Sequence, residues 1–72
     1  MRHLQKRSFA LGGHRTSVAL EAEFWAALEA VALQRGCSLS ALLARVDADR
    51  ADISVPLASA LRVLALLQAA KR

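Results

Sequence analysis

The residues best suited to chemistry lie in "HRTSVALE", His14 to Glu21, where Arg15, Ser17 and Ala19 alternate with Thr16, Val18 and Leu20. A period of two places each set on its own face of a strand. One face is apolar. The other offers a guanidinium, a hydroxyl and a methyl group, which suit hydrogen bonding to an acceptor-rich edge rather than covalent catalysis. The start of a second helix at Ser38, Leu39 and Ser40 adds free backbone N–H groups and the positive end of a helix dipole, a setting that favours an anion.

Other reactive side chains point to bland roles. Cys37 is the only cysteine, has no resolving thiol or evident base, and reads as a buried structural residue. His3, His14 and Cys37 show no metal-ligand spacing, and His14 reads as a solvent-facing strand residue. Asp47, Asp49 and Asp52 lack the ligand count and glycine placement of a calcium loop. Glu21 and Glu23 suit helix-start electrostatics. The expectation is a protein without enzymatic activity, metal, cofactor or small-molecule ligand.

Charge is distributed unevenly. Residues 1–15 hold Arg2, Lys6, Arg7 and Arg15 with no acid, and residues 16–72 balance six basic against six acidic side chains, so the net +4 sits at the N-terminal end. A basic arm on a neutral body points to a polyanionic partner, nucleic acid or a membrane surface, and equally describes a solvated arm. The apolar C-terminal run carries Arg62 near its middle and falls short of the ~20 residues a bilayer span needs. No apolar h-region precedes Gly12, so a signal peptide is not expected. A lone thiol fits a cytoplasmic setting.

The elements that must position these groups follow from spacing. Residues 1–13 read as a basic arm (Arg2, Lys6, Arg7) with a short strand over 6–11, and Gly12-Gly13 as a break or turn. Residues 14–72 form one domain, with a strand over 14–20 and a helix over 22–35. Phe24, Leu28 and Val31 form the helix's apolar stripe beside Trp25 and Ala32, and Gly36 closes it. Ser38 caps a helix over 39–49 whose stripe is Leu39, Leu42, Leu43 and Val46. A third helix over 55–70, with Pro56 in its first turn, is apolar nearly all round, which argues for burial on more than one face. The chain reads as free of internal repeats.

A chain of 72 residues that is 56% hydrophobic has more apolar surface than one small core absorbs. With an internal disulfide ruled out, oligomerisation is the expected aid to stability. The strand at 14–20 needs a partner for its backbone groups. Residues 6–11 can fold back across the glycines, or the same strand of a second chain can pair with it about a two-fold axis.

The order strand, helix, glycine turn with serine cap, helix resembles the ribbon-helix-helix DNA-binding family. The resemblance is carried by "HRTSVAL", by Leu28 with Val31-Ala32, by Gly36, and by Ser38-Leu39-Ser40 leading to Leu42-Leu43. "HRTS" followed by "LEAEFW" resembles a small bacterial subgroup with a further C-terminal helix. The resemblance implies a mainly α fold with one short β-strand per chain, built as an intertwined homodimer around an intermolecular antiparallel ribbon. It implies a repressor-type transcriptional regulator of double-stranded DNA, with base contacts from Arg15, Ser17 and Ala19 and phosphate contacts from Ser38, Leu39 and Ser40. The dimer core would hold Val18, Leu20, Phe24, Trp25, Leu28, Val31, Leu42, Leu43 and Val46.

The alternative is an oligomerisation or protein-interaction module of the same fold that binds no DNA. The sparse polar chemistry of the strand and the apolar third helix motivate it. The behaviour of residues 6–11 bears on the choice. Pairing outside an intermolecular ribbon would widen the sheet to four strands, beyond a two-stranded element in a groove about 12 Å wide.

Overall fold

The computed structural model describes residues 3–50 and 54–71. The elements run β1 (Leu4–Leu11), β2 (His14–Glu21), α1 (Ala22–Arg35), α2 (Leu39–Asp49) and α3 (Leu57–Ala70). The two strands form an antiparallel hairpin, and the helices cover one of its faces.

The expectation of one strand per chain is corrected here: β2 is paired within its own chain, with β1. Gly12 and Gly13 explain the pairing. Their φ values of 56° and 81° are both positive, as a two-residue type I′ turn requires. Closing so short a loop costs little entropy. The strand foreseen over 6–11 extends back to Leu4, in a register that sets Lys6 opposite Ala19, Ser8 opposite Ser17 and Ala10 opposite Arg15.

This register exposes an internal repeat, which corrects the reading of a repeat-free chain. "KRSFAL" at 6–11 returns nine residues later as "RTSVAL" at 15–20. A cation opens each copy, Ser, Ala and Leu recur unchanged, Phe9 becomes Val18, and Arg7 becomes Thr16. In the observed pairing, a quasi-two-fold axis between Ser8 and Ser17 carries Lys6 onto Arg15, Ala10 onto Ala19 and Leu11 onto Leu20. Both copies alternate between two faces, but only Ser, Ala and Leu are identical between them, so the repeat becomes evident only when the register aligns the strands.

The inward face of the hairpin obeys the same symmetry. Leu11, Val18 and Leu20 are buried and Phe9 and Thr16 half-buried, against Trp25, Leu28, Val31 and Ala32 of α1, Leu42 and Leu43 of α2, and Leu61 and Ala65 of α3. Phe24 and Val46 pack at the margin of this core. Of the residues expected at a dimer core, Val18, Leu20, Trp25, Leu28, Val31, Leu42 and Leu43 are buried within the single chain. Each fully buried aliphatic side chain contributes about 1.5–3 kcal/mol relative to exposure.

Trp25 ties helix to sheet. Its indole N–H donates to the Gln5 carbonyl oxygen at 2.8 Å, its ring lies 5.8 Å from that of Phe9, and the Arg7 guanidinium sits 4.7 Å from its centroid.

Helix ends follow local chemistry. Gly36, at φ 69° and ψ 32°, closes α1 with its N–H on the Leu33 carbonyl (3.1 Å), while the Cys37 N–H reaches the Ala32 carbonyl (3.0 Å). These two bonds make a Schellman motif. Ser38 caps α2, its hydroxyl accepting from the Ala41 N–H at 3.0 Å. Pro56 stands one place before α3 rather than in its first turn, because its ψ of 145° is extended. Its carbonyl accepts the Ala60 N–H at 3.1 Å.

Two burial expectations are corrected. Cys37 is exposed, since it lies in the turn directly after Gly36. Within one chain α3 buries one face, through Leu61 and Ala65, and leaves Val63, Leu66 and Leu67 more than half exposed.

Candidate nucleic-acid interface

The outward face of the hairpin is built by the positions that alternate with the core. It carries Lys6, Ser8 and Ala10 from β1 and Arg15, Ser17 and Ala19 from β2. All are exposed except Ala19, which is half-buried. The Ser8 and Ser17 hydroxyl oxygens lie 3.1 Å apart at its centre. Lys6 and Arg15 stand diagonally at its two ends, four residue steps apart along the strands, about 13 Å at ~3.3 Å per residue. Ala10 and Ala19 complete those two ends, so little bulk stands above the backbone.

The acid on this face, Glu21, closes its far end opposite Leu4. Its carboxylate Oε1 accepts from Arg62 Nη2 at 3.0 Å and Nε at 3.2 Å. The acidic end is thereby drawn toward α3, and the rest of the face remains cationic and hydroxylic. Such a surface can donate to base acceptors through Lys6 and Arg15 and can both donate and accept through the two hydroxyls. It can also meet a thymine methyl through the alanines.

The expected base-contacting residues Arg15, Ser17 and Ala19 share this face, and sequence reasoning missed their counterparts Lys6, Ser8 and Ala10 as members of it. The nine-residue repeat was the signal that could have found them. The basic arm divides: Lys6 points outward, whereas Arg7 turns toward the core, where it stacks on Trp25 and bonds Glu29 at 3.2 Å. Arg2 lies outside the described residues. Arg7 therefore serves to hold β1 on α1 as much as to supply charge.

The second expected site is the start of α2. The Ser38 hydroxyl is engaged in capping, Leu39 packs against the core and Ser40 is exposed. The N–H groups of Leu39 and Ser40 have no intrahelical acceptor, as at any helix start. Arg35 and Arg45 flank a shallow cleft nearby, of about 300 Å³, with Cys37, Ala41 and Leu42. Arg45 reaches Asp49 only at 4.0 Å, with both side chains largely exposed, so its charge is weakly committed.

A larger cleft of about 440 Å³ runs beside β2, between Thr16 and Val18, the end of α2 at Asp47 and Arg50, and the start of α3 at Leu57 and Ala58. Arg50, in its lining, donates to the Val55 carbonyl at 2.6 Å and to Asp47 at 2.9 Å. Among the described residues no group of three or more His, Cys, Asp or Glu side chains is placed to hold a metal ion. No described helix is long and apolar enough to cross a membrane.

Comparison with known proteins gives one family. A family model described as a ribbon-helix-helix domain matches residues 4–69, taking in both strands and nearly all of α3. No curated protein and no solved structure gave a match.

Proposed function

Because the chain belongs to the ribbon-helix-helix family, whose members are typically DNA-binding regulators, we propose that it binds double-stranded DNA sequence-specifically as a transcriptional regulator. The observation that carries this reading is the composition of the hairpin's outward face. Two cations, two hydroxyls and two alanines, in the same order along each strand, share the side of the sheet away from the helices. A two-stranded ribbon fits the major groove, where arginine or lysine can bond the guanine acceptors and serine can bond several bases. Ser40 and the N–H groups at the start of α2 then serve a phosphate, with Arg35 and Arg45 adding charge nearby.

Ribbon-helix-helix domains generally dimerise, and we propose a homodimer here. How the copies meet decides between two readings. Joining two β2 edges would make a sheet of four strands, about 14 Å between its outer strand axes at ~4.8 Å spacing, before side chains are counted. That exceeds what a groove about 12 Å wide admits and would favour an interaction module that binds no DNA. Contact through the exposed stripe of α3 (Val63, Leu66, Leu67) leaves each ribbon two strands wide and compatible with the groove.

A duplex-binding titration tests the proposal, run with a selected sequence and its scrambled counterpart at two salt concentrations. The reading requires tighter binding to the selected duplex, with affinity falling as salt rises. Absence of binding even at low salt would overturn it and favour the interaction module.

A further inference from the structure

We infer that one chain of this protein holds a complete, quasi-symmetric groove-reading ribbon, in which Lys6, Ser8 and Ala10 of β1 determine sequence preference jointly with Arg15, Ser17 and Ala19 of β2. The inference rests on the DNA-binding reading and goes beyond it. It assigns specificity to the strand that composition alone marks as a basic arm.

Three independent observations carry it. The first is the repeat: "KRSFAL" and "RTSVAL" supply the same order of cation, serine, alanine and leucine nine residues apart. The second is the register. A spacing of nine yields symmetry only if the axis falls on a directly opposed pair, and Ser8 and Ser17 are such a pair, their hydroxyls 3.1 Å apart. A shift of one residue would send one copy's reading positions to the core face. The third is burial. Most of the repeat's positions match in burial: Leu11 and Leu20 are both buried, Arg7 and Thr16 both half-buried, and Lys6 and Arg15, like Ser8 and Ser17, both exposed, while Ala19 and Val18 are more buried than Ala10 and Phe9. A strand serving only to cap the edge of β2 would need the inward Phe9 and Leu11 but not the matching outward cation and serine.

A ribbon formed by two identical chains presents the same residues twice, related by a two-fold axis. Here the hairpin builds a comparable arrangement within one chain, by pairing β1 with β2. The symmetry is imperfect in a useful way. Lysine replaces arginine at one end, so the two ends read bases differently: arginine can form a planar bidentate pair with guanine, whereas lysine acts as a point donor. Lys6 and Arg15, four residue steps apart, reach positions about four base pairs from one another at ~3.4 Å per pair. The serine pair lies over the steps between them.

The test is selection of binding sites from a randomised duplex pool by the unaltered protein and by Lys6→Ala, Ser8→Ala and Arg15→Ala, with circular dichroism to verify that each variant is folded. The inference requires an approximately two-fold symmetric preferred sequence. Lys6→Ala and Arg15→Ala should each relax preference at one of two symmetry-related positions, by about 5- to 100-fold, and Ser8→Ala should relax it between them. If Lys6→Ala and Ser8→Ala leave the preferred sequence intact while Arg15→Ala changes it, DNA reading stands and the single-chain ribbon falls. If Lys6→Ala weakens all sequences equally, Lys6 is a phosphate contact and the inference is overturned. If the unaltered protein selects nothing, both the inference and the DNA-binding reading fall.

Discussion

The hydroxyls of Ser8 and Ser17 meet 3.1 Å apart across the hairpin, at the one point about which its two strands repeat each other. Serine is a modest strand former, and a cross-strand hydroxyl pair contributes only about 0.2–1 kcal/mol. So small a contribution to stability fits the proposed role of the pair as a base-facing donor and acceptor. Replacing both serines with threonine keeps the hydroxyls and improves strand propensity. The double variant should unfold at the same or a higher temperature while binding its preferred duplex more weakly, because the added methyls obstruct approach. Thermal unfolding and duplex titration on one preparation check both halves.

The turn makes a sharper demand. Gly13 has φ 81° with open space where a Cβ would be, so a side chain there would meet conformational strain rather than a clash. Gly13→Val should destabilise the hairpin by roughly 1–2 kcal/mol, the usual cost of a left-handed conformation for an L-residue. Denaturant unfolding measures it. An unchanged midpoint would mean that the hairpin contributes little to the fold.

Trp25 gives the third prediction. Trp25→Phe keeps most of the buried ring but leaves the Gln5 carbonyl without its donor and weakens the platform for Arg7. A loss of about 0.5–1.5 kcal/mol is expected from the hydrogen bond. It should be concentrated in β1, where amide exchange over residues 4–8 should accelerate more than in α2.

Helix α3 separates folding from association. Leu61→Ala removes a side chain with no exposed surface and should cost about 2–5 kcal/mol. Leu67 is 56% exposed, so Leu67→Glu should leave the unfolding midpoint of one chain nearly unchanged. If copies join through α3, the same variant should sediment as a monomer at concentrations where the unaltered protein is a dimer.

Much of this architecture was legible in the residues. The apolar stripe of Phe24, Leu28 and Val31 defined α1, although the buried face centres on Trp25, Leu28, Val31 and Ala32 with Phe24 at its margin, and Gly36 and Ser38 marked the change of helix, because capping chemistry is local and strongly patterned. The inward and outward faces of β2 followed from alternation. The strand's partner did not, since alternation says which face is buried but not which edge pairs. Gly12-Gly13 was ambiguous between a flexible break and a turn, and the positive φ of both glycines makes it a tight type I′ turn. Arg7 looked like one more cation of an arm. Its place against Trp25 and Glu29 depends on tertiary packing across twenty-two residues of chain. The outward face was half legible: Arg15, Ser17 and Ala19 stood out, and their counterparts in β1 became visible only with the register.

The most direct test of the account is the pattern of backbone amide shifts when a selected duplex is added to isotope-labelled protein. If the hairpin reads the groove, the largest changes fall on Lys6, Ser8, Ala10, Arg15, Ser17 and Ala19 together, with a smaller set at 38–40, while the buried helix positions Leu28, Leu43 and Leu61 move little. Changes confined to α3, or to the two helix ends without the hairpin, would contradict it.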